Sequence, residues 1–206
     1  MNPKAKLDLY KFHKSDYATP RKPVLVQLKS ATYLTVTGQG EPGGPEFTEK
    51  IGALYGAAFT VKMTRKFAGE QDYAVCKLEG QWWGPEGEGD FARLPKAQWR
   101  WRLLIRSPDF LGAADLANAV ETLLKRGKSA MVREVKLVSF SEGDCVQMLH
   151  VGPYDRECES IALMRAFADA AGWKFEGRHH EIYLSDPRRV APERLRTILR
   201  QPVVKA

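Results

Sequence analysis

One order of elements occurs twice in this chain, and it limits the fold more than any single motif does. Two β-rich runs, Val24 to Leu28 and Thr32 to Thr37, flank a short turn at Ser30 and read as a hairpin. Phe47, Ile51, Leu54, Tyr55 and Ala58 then recur at helical spacing. Strands follow at Tyr73 to Glu79 and at Gln98 to Arg106, with the loop G-Q-W-W-G-P-E-G-E-G-D between them. The second half repeats the plan. A hairpin (Val132 to Phe140, then Cys145 to Val151) turns at S-E-G-D, and a helix carries Ile161, Met164, Phe167, Ala168 and Ala171. A strand from His179 to Leu184 and a last strand near Thr197 to Val203 complete it.

Between the halves, Leu116, Val120, Leu123 and Leu124 make one apolar stripe, with Lys125 and Arg126 in the last turn and Gly127 placed to cap it. The order predicts an α+β fold of two fused β-α-β-β halves about a pseudo-twofold axis. Its antiparallel sheets should carry helices on one face and leave a ligand cleft between the halves. Residues 1–22 read as an extended N-terminal arm and 23–206 as the domain. Half one spans about 23–110, the connecting helix about 111–127 and half two about 130–206.

Composition narrows the function. With 206 residues, 44% of them apolar, the chain can build a sizeable core. It has no run near the roughly 20 apolar residues of a membrane helix, and its charged first residues lack a secretory signal, so no membrane partner is expected. Three cysteines without metal spacing fit reduced thiols in the cytoplasm. The net charge of +7 is spread along the chain, which reads as solvated surface. The stretch G-Q-G-E-P-G-G-P matches neither phosphate-binding fingerprint, and no cofactor is expected.

Strand alternation selects candidate site residues, because successive side chains point to opposite faces. Ile182 and Leu184 are assigned to the helix side, leaving His179, Glu181 and Tyr183 on the other. Cys76 and Leu78 likewise face the helix, with Glu79 opposite. Trp99, Trp101, Leu103 and Ile105 share a face. Glu79 and Glu181 would then converge on one groove near Trp82, Trp83 and Trp101. A carboxylate enclosed by indoles attracts organic cations and is suited to act as a base. The plainer reading has both glutamates facing solvent and the tryptophans packing. His179 and Glu181 offer two metal ligands, but the sequence fixes no third, so no metal is expected.

Several separated segments, in order, carry a resemblance: Y-L-T-V-T-G-Q-G-E-P, L-E-G-Q-W-W-G, W-R-L-L-I-R-S-P-D-F, Q-M-L-H-V-G-P-Y-D and H-H-E-I-Y-L-S-D-P-R-R with T-I-L-R-Q-P-V. From about Tyr10 to Val203 the chain resembles the GyrI-like small-molecule-binding family, in particular its stand-alone members. The resemblance implies a cleft for hydrophobic, planar or cationic small molecules. The matching motifs place Glu181 and Tyr183 as its reactive residues, with Glu79, Trp82 and Trp83 beside them; Trp101, Tyr55, His150, Tyr154 and His179 are the further lining candidates, and the reactive tyrosine could equally be Tyr55 or Tyr154. Residues 1–22 are too short for the helix-turn-helix of the family's regulators, so direct DNA binding is not expected. Three functions follow from the resemblance: a drug-binding protein for xenobiotic protection, a hydrolase opening the cyclopropane ring of DNA-alkylating natural products, or an interaction module acting on DNA gyrase.

Overall fold

A computed structural model describes residues 5–85 and 91–206; residues 86–90 of the expected tryptophan-rich loop, and the first four of the arm, lie outside them. The strands are β1 (Val24–Leu28), β2 (Ala31–Gln39), β3 (Leu78–Trp83), β4 (Arg100–Ser107), β5 (Lys136–Phe140), β6 (Gly143–Val151), β7 (Trp173–Phe175), β8 (His179–Tyr183) and β9 (Arg196–Lys205). The α-helices are α1 (Leu9–Phe12), α2 (Pro45–Phe67), α3 (Ala113–Lys125) and α4 (Glu157–Ala170).

The strands form one antiparallel sheet in the order β1-β6-β9-β8-β3-β4-β2-β5, with β7 added to β9. Read from either end, that order exchanges β1 with β5, β6 with β2, β9 with β4 and β8 with β3. The pseudo-twofold axis therefore passes between β3 and β8, the one pair that joins the two centres. The α+β class and the repeated plan hold.

The two expected hairpins do not. β1 pairs with β6 and β2 with β5, each across the halves. A two-residue hairpin needs left-handed backbone at its turn, supplied by Gly, Asn or Asp. Lys29 and Ser30 offer neither, and no described non-glycine residue has positive φ. The chain bends there instead, and the corresponding bend in half two packs beside it, with Ser141 Oγ donating to Leu28 O at 2.9 Å. β3 also begins and ends later than expected, so Gln81, Trp82 and Trp83 are strand rather than loop; aromatic side chains favour that conformation.

Both long helices cover the same face. Leu54, Ala57 and Ala58 of α2 pack on Leu34, Val36, Trp101 and Leu103. Met164 and Ala168 of α4 pack on Val146, Met148 and Leu199. Each helix lies over the outer strands of its own half, so β3 and β8 run between them. α3 ends as expected: Gly127 has φ 67° and the Lys128 amide returns to Leu123 O at 3.0 Å.

The arm folds back on the opposite face. Tyr17 packs on Ile182 and Ile198, and its hydroxyl donates to Glu79 Oε1 at 3.2 Å. Beneath it lies a buried charged network. His180 sits 3.0 Å from Glu79 Oε2 through Nε2 and 2.9 Å from Glu142 Oε1 through Nδ1. Arg200 holds Glu142 at 3.0 Å and Gln147 at 2.9 Å. Burial works against the His180 charge, but Glu142 and Glu79 outweigh it and raise its pKa to about 9. Burial also opposes charge on Glu142, yet His180 and Arg200 hold it down to about 2.

Two outcomes follow from this packing. A Cβ at Gly38 would fall 2.2 Å from the Trp101 ring, so Gly38→Ala should cost about 1–3 kcal/mol as overpacking. A lower urea midpoint at unchanged slope is expected; an unchanged midpoint would mean the ring does not rest there. His180 binds its proton more tightly folded than unfolded, so its contribution is complete below pH 6.5 and is lost as pH rises through about 9. Urea midpoints should fall across that window, and His180→Gln should flatten the fall. A parent midpoint constant from pH 6.5 to 9 would contradict a charged His180.

Candidate active site

The site starts from the register at the pseudo-twofold axis. Gly80 pairs with Glu181 on one side and with Leu103 on the other. Paired residues share a face, and Leu103 packs against α2, so Glu181 points to the helix side. His179 and Tyr183 follow it at period two. This reverses the expected assignment. Ile182 faces the arm, and the polar residues face the helices, where α2 and α4 leave the central strands between them.

Glycine at position 80 makes room for the cluster. A Cβ there would come within 2.8 Å of Tyr183 Oη and 3.0 Å of Trp82 Nε1. In its absence Trp82 Nε1 donates to Tyr183 Oη at 3.2 Å, and the Glu181 carboxyl lies close enough to act on the Tyr183 phenol. On the far side of Glu181 stands Glu157, from the first turn of α4. A carboxylate oxygen of Glu157 lies within 4.8 Å of one of Glu181, and Thr197 stands beside them. His179 completes the group, with Nε2 3.5 Å from Glu181 Oε1. The chain of contacts runs from Trp82 through Tyr183, Glu181 and Glu157 to Thr197.

Aromatic rings wall this chain. Trp82 stacks with Phe47 and Phe91 at centroid distances of 5.9 and 6.5 Å and meets the edge of Trp99 at 5.9 Å. Phe91 lies 5.9 Å from His179, and Tyr154 meets Tyr183 edge-on at 5.9 Å. Water is thereby kept scarce around two carboxyl groups. Burial and the neighbouring Glu181 push the pKa of Glu157 well above its usual 4.5. Burial, then Glu181 and Glu157, push the Tyr183 phenol well above 10, so it stays a neutral donor. Tyr154 rises to about 12 by burial and the same two carboxyls. A protonated acid in contact with a second carboxyl can give a proton while its neighbour takes one.

The expected site residues divide accordingly. Glu181, Tyr183, His179, Trp82 and Tyr154 come together. Glu79 does not join them: it is fully buried on the arm face, paired with Tyr17 and His180. The register explains this, since Glu79 pairs with Ile182 rather than with Glu181. Trp83 likewise lies on the arm side, under the Arg178 guanidinium at 3.8 Å. Trp101 is core on the helix side, covered by Phe47 and donating to Gly40 O at 3.2 Å. Tyr55 sits on α2, near the Leu78 backbone, with its ring stacked on Phe59. His150 is spent on structure, bonded to Ser160 Oγ at 2.9 Å and to Pro153 O at 3.2 Å.

Glu157, Phe47, Phe91 and Thr197 are site residues that strand alternation did not reach. The signal for Glu157 was present: it precedes Ser160, Ile161, Met164 and Ala168 at helical spacing, a carboxylate on an otherwise core-facing stripe. An apolar groove of about 650 Å³ between α3 and β5, lined by Leu116, Val120, Leu124 and Leu137, includes none of these residues.

Comparisons with known proteins agree with this architecture. The model of the GyrI-like small molecule binding domain matches residues 114–204. An uncharacterized conserved protein from Listeria innocua has a crystal structure that superposes with TM-score 0.90 at 39% identity, over 97% of this chain and all of that one. A hydrolase from Listeria innocua superposes with TM-score 0.88 at 38% identity over the same shares. The C-terminal domain of EcmrR shares the fold, with TM-score 0.56 at 11% identity over 90% of this chain and 98% of that one. No curated protein matches the chain.

The raised Glu157 pKa sets a stability signature. Unfolded, Glu157 ionises near 4.5; folded, it keeps its proton, so stability is lost as pH rises from 4.5 toward the folded pKa. Glu157→Gln keeps the neutral form and escapes that loss. In chelator-treated protein, Glu157→Gln should be more stable than the parent at pH 7 to 8 and the advantage should vanish near pH 4. A variant destabilised equally at all pH values would contradict the protonated Glu157.

Proposed function

The chain belongs to the GyrI-like small-molecule-binding family, and from that premise we propose that it is a hydrolase of planar, hydrophobic electrophiles. The observation that carries the reading is the contact between Glu157 and Glu181 beside Tyr183. A site for binding alone has no need to bury two carboxyls against each other. The description of relatives at 37% and 38% identity, alike over their full length, as hydrolases supports the same reading.

Glu181 serves as the general base. It takes a proton from water as the water oxygen bonds to a strained ring carbon of the substrate. The carbon–carbon bond of the ring breaks, and its electron pair moves to a conjugated carbonyl oxygen. That oxygen takes a proton from Tyr183 or Glu157, and the product is the substrate plus one water. Trp82 and Phe91 stack on the flat body of the ligand and keep bulk water out. A cyclopropane-bearing DNA alkylator has this combination of plane, carbonyl and strained ring, which would make the protein a detoxifying enzyme.

Turnover tests the proposal. Incubated with such an alkylator, the protein should release ring-opened product in molar excess over itself, followed by mass spectrometry. Glu181→Gln should lower kcat at least 100-fold, the scale of a lost general base, with retained ligand affinity. Tight binding without product, together with a Glu181→Gln variant that loses a planar cationic dye more than tenfold, would replace hydrolysis with sequestration.

A further inference from the structure

Among the described residues, the carboxylates of the arm face are neutralised by groups the chain itself supplies. On the arm face Glu142 has Arg200 at 3.0 Å and His180 at 2.9 Å. Half-buried Asp16 has Arg106 at 2.8 Å, and fully buried Glu79 has His180 at 3.0 Å. On the helix face the groups acting on Glu157 are burial, Glu181 and Thr197, and the ion-pairing neighbour of Glu181 is the His179 ring. The helix-face pair sits in a shell that is just as dry and has far less positive charge to meet.

We propose that Glu157, His179 and Glu181 form a binding site for a divalent first-row cation of the zinc or manganese type. Each residue offers one ligand atom, and all three atoms lie within 4.8 Å of one another. They come from two elements held rigidly together: His179 and Glu181 from one face of β8, and Glu157 from the first turn of α4. This supplies the third ligand that the sequence did not fix. Ligand atoms around a tetrahedral zinc stand about 3.4 Å apart, and the His179 Nε2 to Glu181 Oε1 edge already measures 3.5 Å. The remaining edges, to Glu157, are no longer than 4.8 Å.

Unpartnered atoms point the same way. His179 Nε2, Glu157 Oε1 and Thr197 Oγ1 are buried and have no hydrogen-bond partner. His179 is only 6% exposed and Thr197 1%. Buried polar atoms are nearly always satisfied; on the arm face the unbonded Glu79 Oε2 and His180 Nε2 at least face each other as an ion pair at 3.0 Å, whereas these three surround two carboxylates, as the open positions of a coordination shell would. Carboxylate and imidazole donors together suit zinc or manganese. Three protein ligands are the number that leaves a place for water on a catalytic zinc, and a metal held there would acidify that water.

The same carboxylates serve the proposed hydrolysis, so the two ideas need separate readouts. Chelator-treated protein in a Cys158→Ser background, which removes the exposed thiol, is dialysed against zinc chloride and, separately, manganese chloride at about pH 7.5. Metal is counted by elemental analysis and thermal stability is recorded. One equivalent retained, with a raised Tm, and at least tenfold weaker retention in both Glu157→Gln and His179→Asn, is the expected result. Glu79→Gln, on the other face, should retain the metal. No retention by the parent, or retention unchanged in folded Glu157→Gln and His179→Asn, overturns the site. Turnover by metal-free protein would leave the hydrolase reading standing after such a failure, and metal binding without turnover would do the reverse.

Discussion

Everything at the centre of this protein depends on how β3 pairs with β8. The Gly80–Glu181 register fixes which side chains look toward the helices and which toward the arm. A slip of one residue would send Ile182 into the polar groove and Glu181 under Tyr17. The register is held from both sides: Ile182 anchors the arm face beside Tyr17 and Ile198, and Gly80 leaves the helix face open for Tyr183 and Trp82. One strand pair at the axis therefore does two jobs, joining the halves and sorting their polar residues.

The two faces then treat burial in opposite ways. The arm face carries Glu79, Glu142, His180 and Arg200 as a matched set of charges. Such a set gives little net stability over apolar packing, but it is costly to break, which makes it suited to locking the arm and both halves in one arrangement. The helix face carries Glu157 and Glu181 in contact, with their electrostatic cost unpaid by any such set. Strain of that kind is retained where chemistry uses it. The rings of Phe47, Trp82, Phe91 and Trp99 keep the cost high by excluding water.

The sequence made the order of elements plain, including α3 with its Gly127 cap, and it correctly turned Glu79 away from the helices. It did not disclose partners. Turn chemistry at Lys29-Ser30 and S-E-G-D tells only that the chain changes direction; which strand each run then pairs with is decided by contacts more than 100 residues distant, as Leu25 with Val146 shows. The face of Glu181 was misread for a related reason. A helix normally covers its neighbouring strands, so Ile182 looked like the helix-side residue; here α2 and α4 sit over outer strands and the helix side of β8 is the groove. Glu157 was hidden by being sought on strands, although its place on the Ser160–Met164 stripe is legible in retrospect.

The central claim is that one proton is held between two buried carboxyl groups on the helix side of the axis. Carbon-13 NMR of protein labelled at the glutamate side-chain carboxyl carbons reads this directly as pH is varied. One carboxyl should keep the chemical shift of a protonated acid well above the ordinary carboxylate range, and that resonance should vanish in Glu157→Gln. Were every glutamate resonance to titrate at or below the ordinary carboxylate range, the shared proton, and the acid–base chemistry built on it, would be wrong.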